Sequence, residues 1–350
     1  MARTVNLGLI GVGMGQAHLA AISRGGKDIK VIAAADINTE RLNKVCDAFN
    51  IKLRFEDYHE MLKIDEIEAV IVVTPNYLHA PMAIDCMTAG KHVLVEKPPS
   101  IDVEGAVRMA EVSKKTGRRL MYALVNRFRA DVQEARKMME KGVLGDIYYA
   151  RASWLRRLGI PGSDWFNIKK ESGGGPLIDL GVHALDMTWW IMGSPKPVSV
   201  SAATYNPFMK KYGKKTYDVE DFAAAFIKFD TGATVIVETS WASYVEWEDI
   251  ESMVLGTKGG VKLRLNPKPN EKYYNLFTEI KGTWTSISSP ELEWKVKEGG
   301  LVPQINYFAD CLRTGRKNIA TAEEGIDLMK MLTGVYESAR TGKEVIFRKH

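Results

Sequence analysis

Three short stretches of this chain carry residue types whose spacing could support chemistry. The first is Gly11-Val12-Gly13-Met14-Gly15, a glycine-rich loop between an apolar run and an amphipathic one. Glycine at a strand-to-helix turn allows tight backbone angles and lets an anion approach the free N–H groups and positive dipole end of the helix. The next apolar run ends in Asp36, roughly 20 residues on, where a carboxylate accepts from a ribose hydroxyl and repels a 2′-phosphate. Ile37, Asn38 and Thr39 add no cation, and the nearest is Arg41. Loop, helix and acid in this order read as a dinucleotide site that favours NAD over NADP. The competing reading is a glycine-rich turn in a nucleotide-free α/β protein.

The second stretch, His92 to Pro99, starts as a buried strand and runs into Glu96, Lys97 and two prolines. The prolines cannot continue a hydrogen-bond ladder, so Glu96 and Lys97 stand at a strand's carboxyl end, which in a doubly wound sheet opens onto the ligand crevice. Thr74-Pro75-Asn76 ends another strand in the same manner, with His79 three residues on. These four would line the cofactor crevice. His79 can equally cap a helix or support the crevice from behind, and this second reading is preferred.

The third stretch, residues 173 to 193, reads as a helix with Pro176 suited to its first turn and Gly193 to its stop. Asp179 and His183 are four positions apart and face the same way. Gly181 between them costs helix stability, which is understandable if something must approach closely. Spacing alone leaves two readings open: a core histidine satisfied by its aspartate, or a pair in which a neutral imidazole accepts a proton near pH 7.

The elements that must position these residues change style along the chain. Strands are expected at Val5 to Ile10, Val31 to Ala35, Ala69 to Val73, His92 to Val95 and Arg119 to Leu124, with amphipathic helices such as Glu40 to Phe49 and Pro81 to Ala89 between them. That alternation implies βαβ units and a parallel sheet. Beyond residue 125 come a helix over Asp131 to Glu140, a strand over Ile147 to Trp154 and the helix Leu177 to Met192. Hairpins follow that turn at Asp230-Thr231-Gly232 and Lys258-Gly259-Gly260, and then closing helices at Val302 to Arg313 and Ala322 to Arg340. Thr321 and Glu324 have capping-box spacing. The expected division is 1–124 and 125–350.

At 350 residues two domains are the default, and 45% hydrophobic with 26% charged residues is the composition of an ordinary globular chain. The net charge of +5 is small, and its densest cluster, Lys210 to Lys215, reads as a solvated loop, so no nucleic-acid partner is expected. Cys46, Cys86 and Cys311 lie far apart with no CxxC pair, so reduced thiols are expected, with no disulfide framework and no metal site. The first strand begins almost at once and no run approaches membrane-spanning length, so a cytoplasmic protein without a membrane partner is expected.

Taken together, these stretches resemble the glucose-fructose oxidoreductase, inositol dehydrogenase and MocA (Gfo/Idh/MocA) family. The carrying segments, in family order, are GVGMGQAH, TPNYLHA, AGKHVLVEKP, NRF at 126–128, GVLGDIYYARA, GGGPLIDLGVHALD, VEDFAAAFIKFDTGA and YESARTGKEV. The glycine loop is one residue shorter than G-x-G-x-x-G. The resemblance implies an NAD-binding Rossmann domain, with a doubly wound parallel sheet, and an α+β domain with a large open-faced, mostly antiparallel sheet. It implies catalytic roles for Lys97, Asp179 and His183. It implies cofactor contacts from Gly11, Gly13, Met14, Gly15, Asp36, Thr74, Pro75, Asn76, His79, Glu96 and Lys97. Substrate contacts are expected from Lys97, Asn126, Asp179 and His183, and from Arg156, Asp164 and Trp165 in the loop at 153–166. That loop, which also holds Arg157, mixes hydrogen-bonding groups with an aromatic face that can stack on a sugar ring; an ordinary surface loop or a subunit contact competes with this reading. The implied reaction is hydride transfer between a secondary hydroxyl of a sugar, cyclitol or glycoside and NAD. Alternatives within the family are a glycosidase or epimerase that recycles tightly held NAD, and a non-catalytic dinucleotide-binding regulator. A homodimer or homotetramer through the open sheet face is also implied.

Overall fold

The computed structural model describes residues 3–208 and 217–347. The basic cluster at 210–215 therefore lies outside the described residues. Two compact units divide the chain: residues 1–125 with 300–326, and residues 126–299 with 327–350.

The first unit is built on a six-stranded parallel sheet in the order β3-β2-β1-β4-β5-β6. Its strands are β1 (Val5–Ile10), β2 (Ile29–Ala35), β3 (Leu53–Phe55), β4 (Ala69–Val72), β5 (His92–Val95) and β6 (Leu120–Tyr122). They alternate with α1 (Val12–Gly25), α2 (Thr39–Ala48), α3 (Tyr58–Leu62), α4 (His79–Thr88) and α5 (Val103–Thr116). This is the doubly wound strand order, whose ligand crevice opens between β1 and β4 where the winding reverses. Ala69–Val72 and Val93–Val95 are wholly buried, as strands covered on both faces must be. β3 was not anticipated; at three residues, with Leu53 exposed, it carries almost no apolar signal.

Residues 300–326 differ from the sequence division, which placed everything beyond 124 in the second domain. The helix Leu301–Thr314 packs on α1: Asn306 accepts from the Lys27 N–H and donates to the Gly25 carbonyl, and Arg313 donates to the carbonyls of Arg3, Lys27 and Asp28. The Thr321–Glu324 capping box forms reciprocally, at 3.0 and 3.2 Å.

The second unit is built on a nine-stranded sheet in the order β14-β13-β12-β11-β7-β10-β9-β8-β15, in which β7 and β10 are parallel and the other pairs antiparallel. After α6 (Ala130–Glu140) and β7 (Ile147–Leu155) come the one-turn α7 (Lys169–Ser172) and α8 (Val182–Ile191). The remaining strands are β8 (Pro197–Tyr205), β9 (Phe222–Phe229), β10 (Thr234–Ser240), β11 (Asp249–Gly256), β12 (Gly259–Arg264), β13 (Tyr274–Ile280), β14 (Thr283–Ile287) and β15 (Val345–Ile346).

Helix α8 lies on β7, β10 and β11, over the inward residues Ala150, Ala152, Val235, Val237 and Val254. It is buried nearly all round, which an amphipathic pattern would not predict, and Arg127 anchors it. The Arg127 guanidinium, fully buried, donates Nε to both carboxylate oxygens of Asp186 at 3.1 Å and a terminal nitrogen to one of them at 2.6 Å.

Candidate active site

In the first unit the glycine loop sits where β1 passes into α1. Gly11 takes φ +88, and a Cβ there would lie 2.0 Å from the Val73 carbonyl oxygen, so no other residue fits the crossing of β1 past the end of β4. Over Gly13 the space is open, with nothing nearer than the Arg41 guanidinium at 3.9 Å, and Met14 is exposed beside it. Asp36 ends β2 and is buried. Its carboxylate accepts from the Val12 and Asn38 N–H groups, each at 2.9 Å, and from Arg41 at 2.7 Å. The cation that looked remote in sequence thus reaches the acid, because one turn of α2 brings residue 41 back over its start. Thr74, just beyond the end of β4, has a buried hydroxyl with no hydrogen-bond partner among the described residues. An open cradle at a helix start, an acid at the end of β2 and an orphaned hydroxyl at the crevice fit a dinucleotide.

Glu96 and Lys97 leave β5 as a tight unit. Glu96 Oε1 lies 2.8 Å from Nε2 of the buried His18 on α1, and Glu96 Oε2 accepts from the Lys97 N–H at 3.0 Å. Burial alone would raise the Glu96 pKa, yet the His18 hydrogen bond, with the His18 and Lys97 charges, lowers it to about 2, so the carboxylate stays charged. His79 is fully buried at the start of α4 and turns Nδ1 to the Pro98 carbonyl at 2.8 Å and Nε2 to the Thr74 carbonyl at 2.9 Å. It ties the Thr-Pro-Asn turn to the Glu-Lys-Pro turn from behind. Burial holds its pKa below the usual imidazole value, against the pull of the two carbonyls. Asn76 is buried in the 3-10 turn that opens after Pro75.

In the second unit the expected single helix is two elements. Leu177–Gly181 is a π-turn and the α-helix begins at Val182, whose N–H reaches back five residues to the Leu177 carbonyl. The wide turn keeps Asp179 and His183 on one side of the chain. Gly181 is explained by a close approach: a Cβ there would meet Leu177 Cδ1 at 3.0 Å and the Thr239 methyl of β10 at 3.3 Å. The start of the π-turn carries no cap of its own; the buried Glu220 supplies it, accepting from the Gly175 and Leu177 N–H groups at 3.0 and 3.1 Å and from the Tyr336 hydroxyl at 2.9 Å. Burial pushes the Glu220 pKa up while those donors act against it.

Asp179 accepts from the indole N–H of the buried Trp241 at 2.9 Å, and the His183 ring lies 5.8 Å from the Trp154 ring, centroid to centroid. Leu180, Val219 and Trp241 form a local core with Trp154, Ile160, Phe166 and Tyr217 against it. Arg156 stacks over Trp154 and donates to Glu248 at 3.0 Å, so its charge is balanced where it stands. Asp164 and Trp165 lie on the 3-10 turn Asp164–Asn167, with Trp165 stacked on Phe166 at 3.9 Å, and Asn126 is buried beside Arg127. His18, Glu220, Trp154 and Trp241 were not singled out from sequence. Each serves by touching a residue remote in the chain, and the one signal for Glu220 was its place in the VEDF segment. Among the described residues, no group of three or more His, Cys, Asp or Glu is placed to hold a metal ion.

Residues 5–124 match an oxidoreductase family with an NAD-binding Rossmann fold, and residues 136–347 match the C-terminal alpha/beta domain of the same family. The chain belongs to the Gfo/Idh/MocA oxidoreductase family. Among members of this family, the D-glucoside 3-dehydrogenase of Escherichia coli (strain K12) is 30% identical over 327 residues, covering 91% of this chain and 90% of that protein. The scyllo-inositol 2-dehydrogenase (NAD(+)) of Bacillus subtilis (strain 168) is 28% identical over 350 residues, covering 99% and 97%. A levoglucosan dehydrogenase solved in complex with NADH shares the fold with a TM-score of 0.87 at 22% identity, covering 99% of this chain and all of that one. The Gfo/Idh/MocA assignment accounts for the dinucleotide features of the first unit.

Proposed function

We propose that the protein transfers hydride between a secondary hydroxyl of a neutral sugar, cyclitol or glycoside and NAD. The observation that carries the proposal is the Asp179–His183 pair, with Asp179 on the π-turn bonded to Trp241 and His183 at the start of α8 beside Trp154, in a chain whose first unit has the NAD cradle. Gly11, Gly13, Met14, Gly15, Asp36, Thr74, Pro75, Asn76 and Glu96 hold the cofactor, with His79 fixing two of their turns. When bound, NAD supplies the hydride acceptor, and the protein's part is to bind, orient and move a proton. His183, as a neutral imidazole, takes the hydroxyl proton as the carbinol carbon gives up hydride. The Lys97 ammonium stabilises the developing alkoxide, and Asp179 orients the imidazole or accepts from a neighbouring hydroxyl.

Asn126, Asp164 and Trp165 contribute to substrate binding, with Arg156 held by Glu248 as a hydrogen-bonding wall. Balanced in this way, Arg156 is a poor phosphate receptor, which favours neutral sugars. The relatives named for glucoside and inositol oxidation support the substrate class. Three buried free thiols favour a reducing, cytoplasmic setting. A second copy of the chain covers the sheet face opposite α8, where Phe226 and Phe277 are exposed.

The test is a turnover screen of alkyl and aryl glucosides, inositols and free aldoses with NAD, following NADH. Steady NADH release with at least one glycoside or cyclitol is expected. Product formation without NADH release would replace this reading by cofactor recycling, and NAD binding without turnover of any sugar would replace it by a binding role.

A further inference from the structure

We infer that Trp241 is a positioning residue for the reaction, its indole N–H fixing the Asp179 carboxylate in the orientation the site uses. The inference rests on the proposed hydride transfer for its kinetic part, but the contact can be tested without turnover. Trp241 directly follows β10, and its backbone N–H donates to the Asp221 carbonyl at 3.0 Å while its carbonyl accepts from the Gly159 N–H at 2.7 Å. Pinned at both ends and fully buried with Leu180 and Val219, the indole has no freedom to seek another acceptor. It meets Asp179, which lies within the π-turn, at 2.9 Å. Thr239, two residues earlier and within β10, donates to the Pro176 carbonyl at 3.0 Å, so β10 and the residue that follows it hold both the start of the π-turn and its aspartate.

A buried indole N–H needs an acceptor, and a backbone carbonyl would serve for a tryptophan that only fills the core. Here the donor meets an ionisable oxygen on the segment that carries His183, and a hydrogen bond to a charged group both stiffens and directs it.

The experiment compares wild type, Trp241→Phe, Asp179→Asn and the double variant. Phenylalanine keeps an apolar ring and removes the donor. Trp241→Phe is expected to lower kcat by about ten- to hundredfold while the NAD dissociation constant stays within about twofold. In the Asp179→Asn background the same change should cost less than about threefold, since Trp241 acts through that carboxylate. In nitrogen-15 spectra of wild type, the indole resonance that disappears in Trp241→Phe should move in Asp179→Asn.

Unchanged kcat in Trp241→Phe, or the same fold-loss in both backgrounds, would overturn the inference. So would an indole resonance indifferent to Asp179→Asn. A wild type that oxidises no sugar but shows the expected indole response would remove the proposed reaction while leaving the Trp241–Asp179 contact in place. A Trp241→Phe variant that melts much earlier yet keeps kcat would assign Trp241 to packing alone.

Discussion

At the scale of single residues, the proposed chemistry separates groups that act on the substrate from groups that hold the cofactor. His183→Ala and Lys97→Met remove the proton acceptor and the ammonium. Each should lower kcat by about 100-fold or more with little change in NAD affinity, measured by steady-state kinetics and fluorescence titration. Turnover within a few-fold of wild type would take that residue out of the mechanism.

Asp36 sets a different quantity. Two backbone donors and Arg41 fix its carboxylate, and if it accepts from the ribose as proposed, NAD should bind at least about tenfold (1.4 kcal/mol) more tightly than NADP. Asp36→Ala should shrink or reverse that ratio, because it removes the acceptor and releases Arg41 to a 2′-phosphate. Asp36→Ala combined with Arg41→Ala should bind both cofactors weakly. Equal affinities in wild type would show that Arg41 serves a phosphate even while Asp36 is present. The acid was legible in sequence from its distance beyond the glycine loop; the Arg41 contact was not, because a helix start folds residue 41 back over residue 36.

At the scale of elements, α8 and β5 make separate predictions about stability. Asp186→Ala would remove the buried carboxylate to which the wholly buried Arg127 donates, and a loss of about 3–5 kcal/mol in urea unfolding is expected. A loss below about 1 kcal/mol would mean that water reaches the guanidinium. On β5, His92 accepts from the Arg119 N–H at 2.8 Å; burial, and then the charges of Arg118 and Arg119, push its pKa down to about 4. Because this folded value lies below the ordinary 6.5, the unfolded chain takes up a proton that the native state refuses. Stability from this residue is therefore present above about pH 6.5 and falls away as pH drops toward 4. His92→Asn keeps an acceptor without the titration, so its melting temperature should fall less than wild type between these limits; parallel curves would refute the assignment.

Elements with strong periodicity, such as β1, β5, the β9–β10 hairpin and the closing helices, were legible in sequence. The π-turn was not, because it depends on Glu220, Thr239 and Trp241 arriving from elsewhere in the chain. β13 and β14 were missed because Phe277, Ile280 and Trp284 are exposed and the strands lack an apolar-in, polar-out alternation.

At the scale of the whole molecule, the open face of the nine-stranded sheet raises the question of what covers it. Register places Phe222, Phe226, Ile236, Met253 and Phe277 on the face away from α8, interleaved with the Arg151–Glu238 pair at 2.7 Å and the Lys262–Glu251 pair at 2.6 Å. Glu251 is only 4% exposed although it lies on this face, so the charges are already satisfied among themselves and the apolar residues stand between them. A broad patch of that composition is what an isologous dimer buries, since each ion pair stays intact while the aromatic rings lose water. The protein should therefore run as a dimer or tetramer in light scattering at micromolar concentration. Phe226→Glu would set a charge among the apolar residues of the face, next to Ile236 and Ser201 across the ladder, and should give monomers that keep the far-ultraviolet circular dichroism of wild type. A monomeric wild type would leave the sheet to another occupant. A Phe226→Glu variant that stays oligomeric would place the contact between copies on some other surface.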